Sequence, residues 1–217
     1  AAILAQRFPD WKGAQLKAAL MNSARFVDAL SPLEQGAGRV DIPAAIALQL
    51  RAEPASLSFG RQSWPHADDE LVTRTVTFTN PSDKAQSVQL ALDAKGPDGA
   101  PAAAGLFTLS TDCVELAPQA SASVTITADT RLGIDGFSGG QLIAASETAR
   151  AHVPFFVERE VESYDLVLQH LDRAGQPTTA PFTSVVPYVR GDQPPSFGLV
   201  LDAEGSVTVR LPKGDYA

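Results

Sequence analysis

The chain has 217 residues, 44% of them hydrophobic and 19% charged, which is enough apolar material for one large or two ordinary domains. No run approaches the roughly 20 uninterrupted apolar residues that cross a bilayer, and the opening AAILAQRFPDW lacks the layout of a secretory leader, so any signal peptide is expected upstream. The net charge of −8 is uneven, with five basic against four acidic residues in 1–50 and 12 against 21 in the other 167, and an acidic body with no basic stripe argues against nucleic acid as a partner.

Residues 1–50 read as short helices. Ala1 to Phe8 reads as the end of an apolar helix stopped by Pro9. Leu16, Ala19, Leu20 and Ala24 mark one face of a helix over Gly13 to Arg25. A turn-rich stretch, Ser31 to Gly38, leads to a short extended piece at Arg39-Val40-Asp41, and helical spacing resumes from Ile42 to Arg51 with Pro43 in the first turn. These helices have too little apolar surface to cover one another, so they are expected to complete a larger hydrophobic body.

From Ala55 the period becomes two. Leu71 to Asn80 sets Val72, Arg74, Val76 and Phe78 against Thr73, Thr75, Thr77 and Thr79 and ends in the turn signal Asn80-Pro81-Ser82. Gln86 to Ala94 and Ala122 to Asp129 alternate likewise, with a loop from Lys95 to Gly105; Gln141 to Ser146 and Ala151 to Val157 flank a hairpin turn at Glu147-Thr148. Seven or so short strands joined by turns predict an antiparallel β-sandwich over residues 52–158, and the missing crossover helices exclude parallel sheets. After the charged joint at 158–162, strands are expected at Tyr164–Leu171, Thr183–Val189, Phe197–Leu201 and Val207–Leu211, forming a second β module over 159–217 that is either cut short or closes with unusually little sheet. The fold class is therefore mainly β: a sandwich with a short helical segment before it and a second β module after it.

Two motifs in the helical part, PDWKGAQLKAALMNSA at 9–24 and Gln35-Gly36-Ala37-Gly38-Arg39-Val40-Asp41, resemble the end of a subtilisin-like (subtilase) peptidase domain, with Ser23 where threonine is commoner. PASLSFG at 54–60, VTFTNPSD at 76–83 and the stretch from Gly136-Phe137-Ser138-Gly139 to Val153-Pro154-Phe155-Phe156-Val157 are similar to the fibronectin-III-like domain that follows it in large secreted subtilases. Residues 164–217 are similar to small carboxypeptidase-regulatory or transthyretin-like sandwiches. The resemblance implies domains at 1–51, 52–158 and 159–217. It also implies the non-catalytic C-terminal region of a secreted serine endopeptidase whose Asp, His and Ser all lie upstream. Its partners would be the upstream catalytic domain and the peptide or protein substrates of the intact enzyme. Five Lys against twelve Arg, with many Ala, suggest a GC-rich bacterial source.

No catalytic, cofactor-binding or metal-ligating residue is assigned within the chain, and no cofactor is expected. His152 reads as a structural imidazole on a strand, His66 as a solvated loop residue, and His170 with Asp172 as a surface contact. Cys113 reads as a half-buried strand residue, and an intrachain disulfide needs a second cysteine. Asp68-Asp69-Glu70 and Asp93 to Asp98 read as loop acids rather than calcium ligands. Gly139-Gly140 lacks the Lys-Ser/Thr and helix of a phosphate loop, and Trp11 and Trp64 read as packing anchors. The competing reading is an extracellular binding or adhesion module with a helical spacer.

Overall fold

The computed structural model describes residues 1–27, 29–179, 183–185 and 197–216. It divides into two compact units, Ala1–Arg159 and Glu160–Ala217.

The first unit begins with four short helices: α1 (Ala2–Arg7), α2 (Gly13–Asn22), α3 (Pro32–Gln35) and α4 (Ile42–Ile46). The single turn α3 falls inside the stretch expected to be irregular. Its signal is Ser31-Pro32-Leu33-Glu34: the Ser31 backbone N–H donates to Glu34 Oε2 at 2.8 Å, the Glu34 N–H donates to Ser31 Oγ at 3.4 Å, and proline fills the first turn. In contrast, α4 is shorter than the apolar spacing predicts. Leu50 and Ala52 are fully buried in the sandwich core, which needs an extended chain there, so tertiary burial overrides the helical pattern.

The sandwich has nine strands: β1 (Arg51–Glu53), β2 (Leu57–Gln62), β3 (Val72–Thr79), β4 (Gln86–Lys95), β5 (Phe107–Leu109), β6 (Cys113–Leu116), β7 (Ser121–Ala128), β8 (Gly136–Ala145) and β9 (Arg150–Arg159). They form a four-stranded sheet ordered β1-β3-β7-β5 and a five-stranded sheet ordered β2-β9-β8-β4-β6. Val76, Phe78, Val124 and Ile126 from the first sheet share one core with Leu142, Val153, Phe155 and Val157 from the second. Phe155 lies edge-on to Phe59 and Phe107 at centroid distances of 6.4 and 4.8 Å. On the outer face of β3 the threonines pair across to β7, with Thr77 2.9 Å from Ser123 and Thr79 2.9 Å from Ser121.

One pairing departs from the expected antiparallel pattern: β2 runs parallel to β9. The crossover-helix rule applies to strands joined directly, whereas these two are separated by six intervening strands that complete both sheets. The β8–β9 hairpin turns where expected, with the Ser146 N–H donating to the Ala149 carbonyl at 2.8 Å. At the centre of β8, a methyl on Gly140 would lie 1.7 Å from the Asp93 carbonyl oxygen, so glycine there permits close approach of β4.

In the second unit β10 (Ser163–Gln169) pairs antiparallel with β13 (Ser206–Pro212), and β11 (Thr183–Val185) with β12 (Phe197–Leu199). Of the strand expected from Thr183 to Val189, residues 186–189 lie outside the described residues. Glu160, 2% exposed, receives a forked pair from Arg210, Nε to Oε1 at 2.8 Å and Nη2 to Oε2 at 2.8 Å. No helix among the described residues is long and apolar enough to cross a membrane.

Candidate functional site

The helical layer packs on the sandwich, α2 against β1 of the four-stranded sheet and β9 of the five-stranded sheet, and α3 against β8 and β9. Ala18, Ala19 and Asn22 are the buried residues of α2, the alanines being small enough to permit close packing. Asn22 ties it down: its Oδ1 accepts from the Ala52 N–H at 2.8 Å and its Nδ2 donates to the His152 carbonyl at 3.1 Å. The Gly-x-Gly-x-Val-Asp segment closes the layer. Arg25 and Arg39 exchange backbone hydrogen bonds at 2.7 and 2.9 Å, and Gly38 (φ 103°) makes this possible, since a methyl there would lie 2.3 Å from the Arg25 carbonyl oxygen. Asp41 caps α4 through the Ala44 N–H and binds Arg25 Nε at 2.7 Å, and these bonds hold its carboxyl below the usual range.

The helices also have a small core of their own, in which fully buried Leu4, Ala19 and Ala45 contact Phe8, Trp11, Leu16, Leu20 and Leu48. Trp11 stacks on Phe8 with ring centres 4.1 Å apart, as a packing residue does. This core does not consume the apolar side chains of the segment: Ile3 is 54% exposed, Val27 48%, Val40 54% and Ile46 37%.

A groove of about 690 Å³ runs between Phe26 with residues 29–34 and the outer face of β4, β8 and β9. Phe26, Leu30, Leu33, Phe137 and Phe156 wall it, and Asp93, Lys95 and Gln141 contribute polar groups. A volume of this size falls within the range of about 300–1,000 Å³ typical of ligand sites. Nothing in the local spacing revealed it, because its walls come from segments far apart in the chain.

The three histidines have separate environments. His152 is 8% exposed with Nε2 3.0 Å from the Ala37 carbonyl; burial lowers its pKa, the Ala37 carbonyl opposes the shift, and Arg150 adds to it. His66, expected to be solvated, is instead buried. Its Nδ1 lies 2.8 Å from Asp69 Oδ2, which also accepts from Thr130 Oγ1 at 2.7 Å, and its Nε2 lies 3.7 Å from Asp135. The reason is the acids flanking this loop, which provide the partners a buried imidazole needs. His170 takes part in backbone pairing with Gly205 and Thr178, while Asp172 Oδ1 accepts from the Ala174 and Gln176 N–H groups to close a turn.

Cys113 stands on edge strand β6, half-buried, its sulfur accepting from Gln89 Nε2 at 3.1 Å. Of the loop acids, Asp98 binds the Ala100 N–H at 3.0 Å. No group of three or more His, Cys, Asp or Glu among the described residues could hold a metal ion.

Fold and surface together define a β-sandwich module carrying a helical layer with several exposed apolar side chains. No protein-family model and no curated protein sequence matches the chain. Among solved structures, it is similar to the ASH/PapD-like domain 7 of human CEP192, at 15% identity and a TM-score of 0.40 over 52% of this chain and 87% of that one. It is similar to the chaperone DraB of E. coli at 15% identity and a TM-score of 0.37, over 78% and 89% of the two chains. The CupB2 chaperone of Pseudomonas aeruginosa matches at 15% identity and a TM-score of 0.36, over 72% and 86%.

Proposed function

We propose that this chain is the non-catalytic C-terminal region of a secreted, extracellular bacterial serine endopeptidase of the subtilisin-like class. Residues 1–50 complete the peptidase core, and the sandwich packs beside that core as a rigid support. The nucleophile, base and orienting acid that peptide hydrolysis requires lie upstream, and protein or peptide substrates are partners of the intact enzyme. One observation carries this reading. The segment bearing the subtilase-like motifs is anchored on one side by Asn22, yet leaves Ile3, Val27, Val40 and Ile46 in solvent. Exposed apolar side chains on an anchored layer are what a shared interior leaves when one half is viewed alone.

The test is to read the coding frame upstream of Ala1 and express the extended polypeptide. The expected result is a Gly-Thr-Ser segment opening the helix that ends in α1, casein hydrolysis by the extended form that a serine-directed fluorophosphonate blocks, and none by the 217-residue chain. An upstream frame without that serine motif, or hydrolysis by the 217-residue chain itself, overturns the proposal.

A further inference from the structure

Two connections pass between the sheets at one end of the sandwich. Residues 63–71 lead from β2 of the five-stranded sheet to β3 of the four-stranded one, and residues 129–135 return from β7 to β8. His66 and Asp69 on the first meet Thr130 and Asp135 on the second. The imidazole Nδ1 lies 2.8 Å from Asp69 Oδ2, Thr130 Oγ1 donates to the same oxygen at 2.7 Å, and the imidazole Nε2 lies 3.7 Å from Asp135 Oδ1. His66 is 6% exposed and Thr130 is fully buried.

The imidazole therefore stands between two carboxylates. A neutral ring carries one N–H and one lone pair, so it donates to one carboxylate and turns its lone pair towards the other, whereas the doubly protonated ring presents an N–H to each. Charge gives the same answer. Asp69 and Asp135 bring two negative charges, and the buried Arg159, its Nη1 3.5 Å from Asp135, brings one positive charge, so the group balances only when the imidazole is charged. The remaining charged groups on these elements lie outside this balance: Asp68 and Glu70 are exposed, Asp129 is held by Arg131 at 2.7 Å, and Glu158 lies 3.6 Å from Arg61.

We propose that His66 is a pH-sensitive latch between the two connections. With its second proton the ring holds Asp69 and Asp135 together and closes this end of the sandwich; without it, a lone pair faces a carboxylate and residues 63–70 and 129–135 part more readily. The latch is engaged in mild acid and loosened in mild alkali. It lies within the first unit and uses none of the apolar side chains on which the protease reading rests, so it stands or falls separately from that reading.

Amide hydrogen exchange of the full 217-residue chain at pH 5 and pH 8 tests the proposal, each rate being divided by that of an unstructured peptide at the same pH. Residues 63–70 and 129–135 should be at least about fivefold better protected at pH 5 than at pH 8. The difference should vanish in His66→Gln, which cannot gain a charge, and fall by about half or more in Asp135→Asn, which keeps the shape and removes one of the two negative charges. His152 is common to all three proteins, so its own titration does not distinguish them. Thermal unfolding checks that each variant is folded; if His66→Gln is not, Asp135→Asn still discriminates. Equal protection of the two segments at both pH values in the wild type, or an undiminished pH effect in a folded variant, overturns the proposal.

Discussion

Asn22 Oδ1 accepts the Ala52 backbone N–H at 2.8 Å, and this one contact ties the end of α2 to the first strand of the four-stranded sheet. The same carboxamide donates to His152 on β9, so a single side chain joins the helix to both sheets of the sandwich. An asparagine, which carries both an acceptor and donors, can do this where leucine or an ionised aspartate cannot serve both partners.

Asn22→Leu should therefore destabilise the first unit by about 2–4 kcal/mol, since it leaves a buried donor and a buried acceptor unsatisfied. Urea unfolding followed by tryptophan fluorescence reads the change, because Trp11 belongs to the helical core and Trp64 to the loop after β2. A shift within error would mean that the helical layer is not coupled to the sandwich through this residue.

Asn80 closes the loops at one end of the sandwich. Fully buried, it donates to the carbonyls of Lys84 (2.7 Å) and Ala117 (3.1 Å) and accepts from the Ser82 N–H (3.0 Å) and Gln86 Nε2 (2.8 Å). Asn80→Ala should cost about 3 kcal/mol, because it strips partners from several buried groups at once. Thermal melting checks this, with Asn80→Asp as the companion variant that keeps the acceptor and loses the donors.

The glycines make a sharper contrast. A methyl on Gly140 would meet the Asp93 carbonyl oxygen at 1.7 Å, whereas one on Gly13 meets nothing within 4 Å. Gly140→Ala should cost at least about 2–3 kcal/mol as β4 and β8 are forced apart, whereas Gly13→Ala at the start of α2 should be neutral or stabilising by up to about 0.5–1 kcal/mol. Equal midpoints for the two variants in chemical denaturation would contradict the close strand approach.

What the sequence disclosed was mostly periodicity. The alternation of Val76 and Phe78 with threonines identified β3 and its buried face, and the same rule placed β4, β7 and the β8–β9 hairpin, because a half-buried strand writes its burial directly into every second residue. The segments 9–24 and 35–41 singled out in the sequence contain residues that fasten the helical layer, Asn22 and Gly38. Three features left no local trace. The parallel pairing of β2 with β9 depends on how both sheets close. The burial of His66 draws on the nearby Asp69 but also on Thr130, which holds Asp69, and on Asp135, 69 positions away in the chain. The groove is walled by Phe26 and residues 29–34 together with β4, β8 and β9, distant in the chain. Each is a relation between distant segments, and short-range patterns do not encode such relations.

The last expectation concerns pH and His152. Its imidazole is held mainly neutral by burial, with a folded-state pKa below the ordinary 6.5, because the charged form would lose its hydration and lies near Arg150. Asn22 on α2 contacts the same residue through the His152 carbonyl, Phe26 approaches the ring edge-on at 6.4 Å, and the Ala37 carbonyl holds Nε2. A histidine with a depressed folded-state pKa binds more protons when unfolded. Its contribution to stability is therefore complete above pH 6.5 and is lost as the pH falls through the folded-state value. The chain should be less stable at pH 5 than at pH 8, and His152→Gln, which can still donate to the Ala37 carbonyl, should reduce that difference. Denaturation of both proteins at the two pH values isolates the effect, since the other titrating groups are common to both. An identical pH dependence in wild type and His152→Gln would show that His152 is not the proton-linked group in this layer.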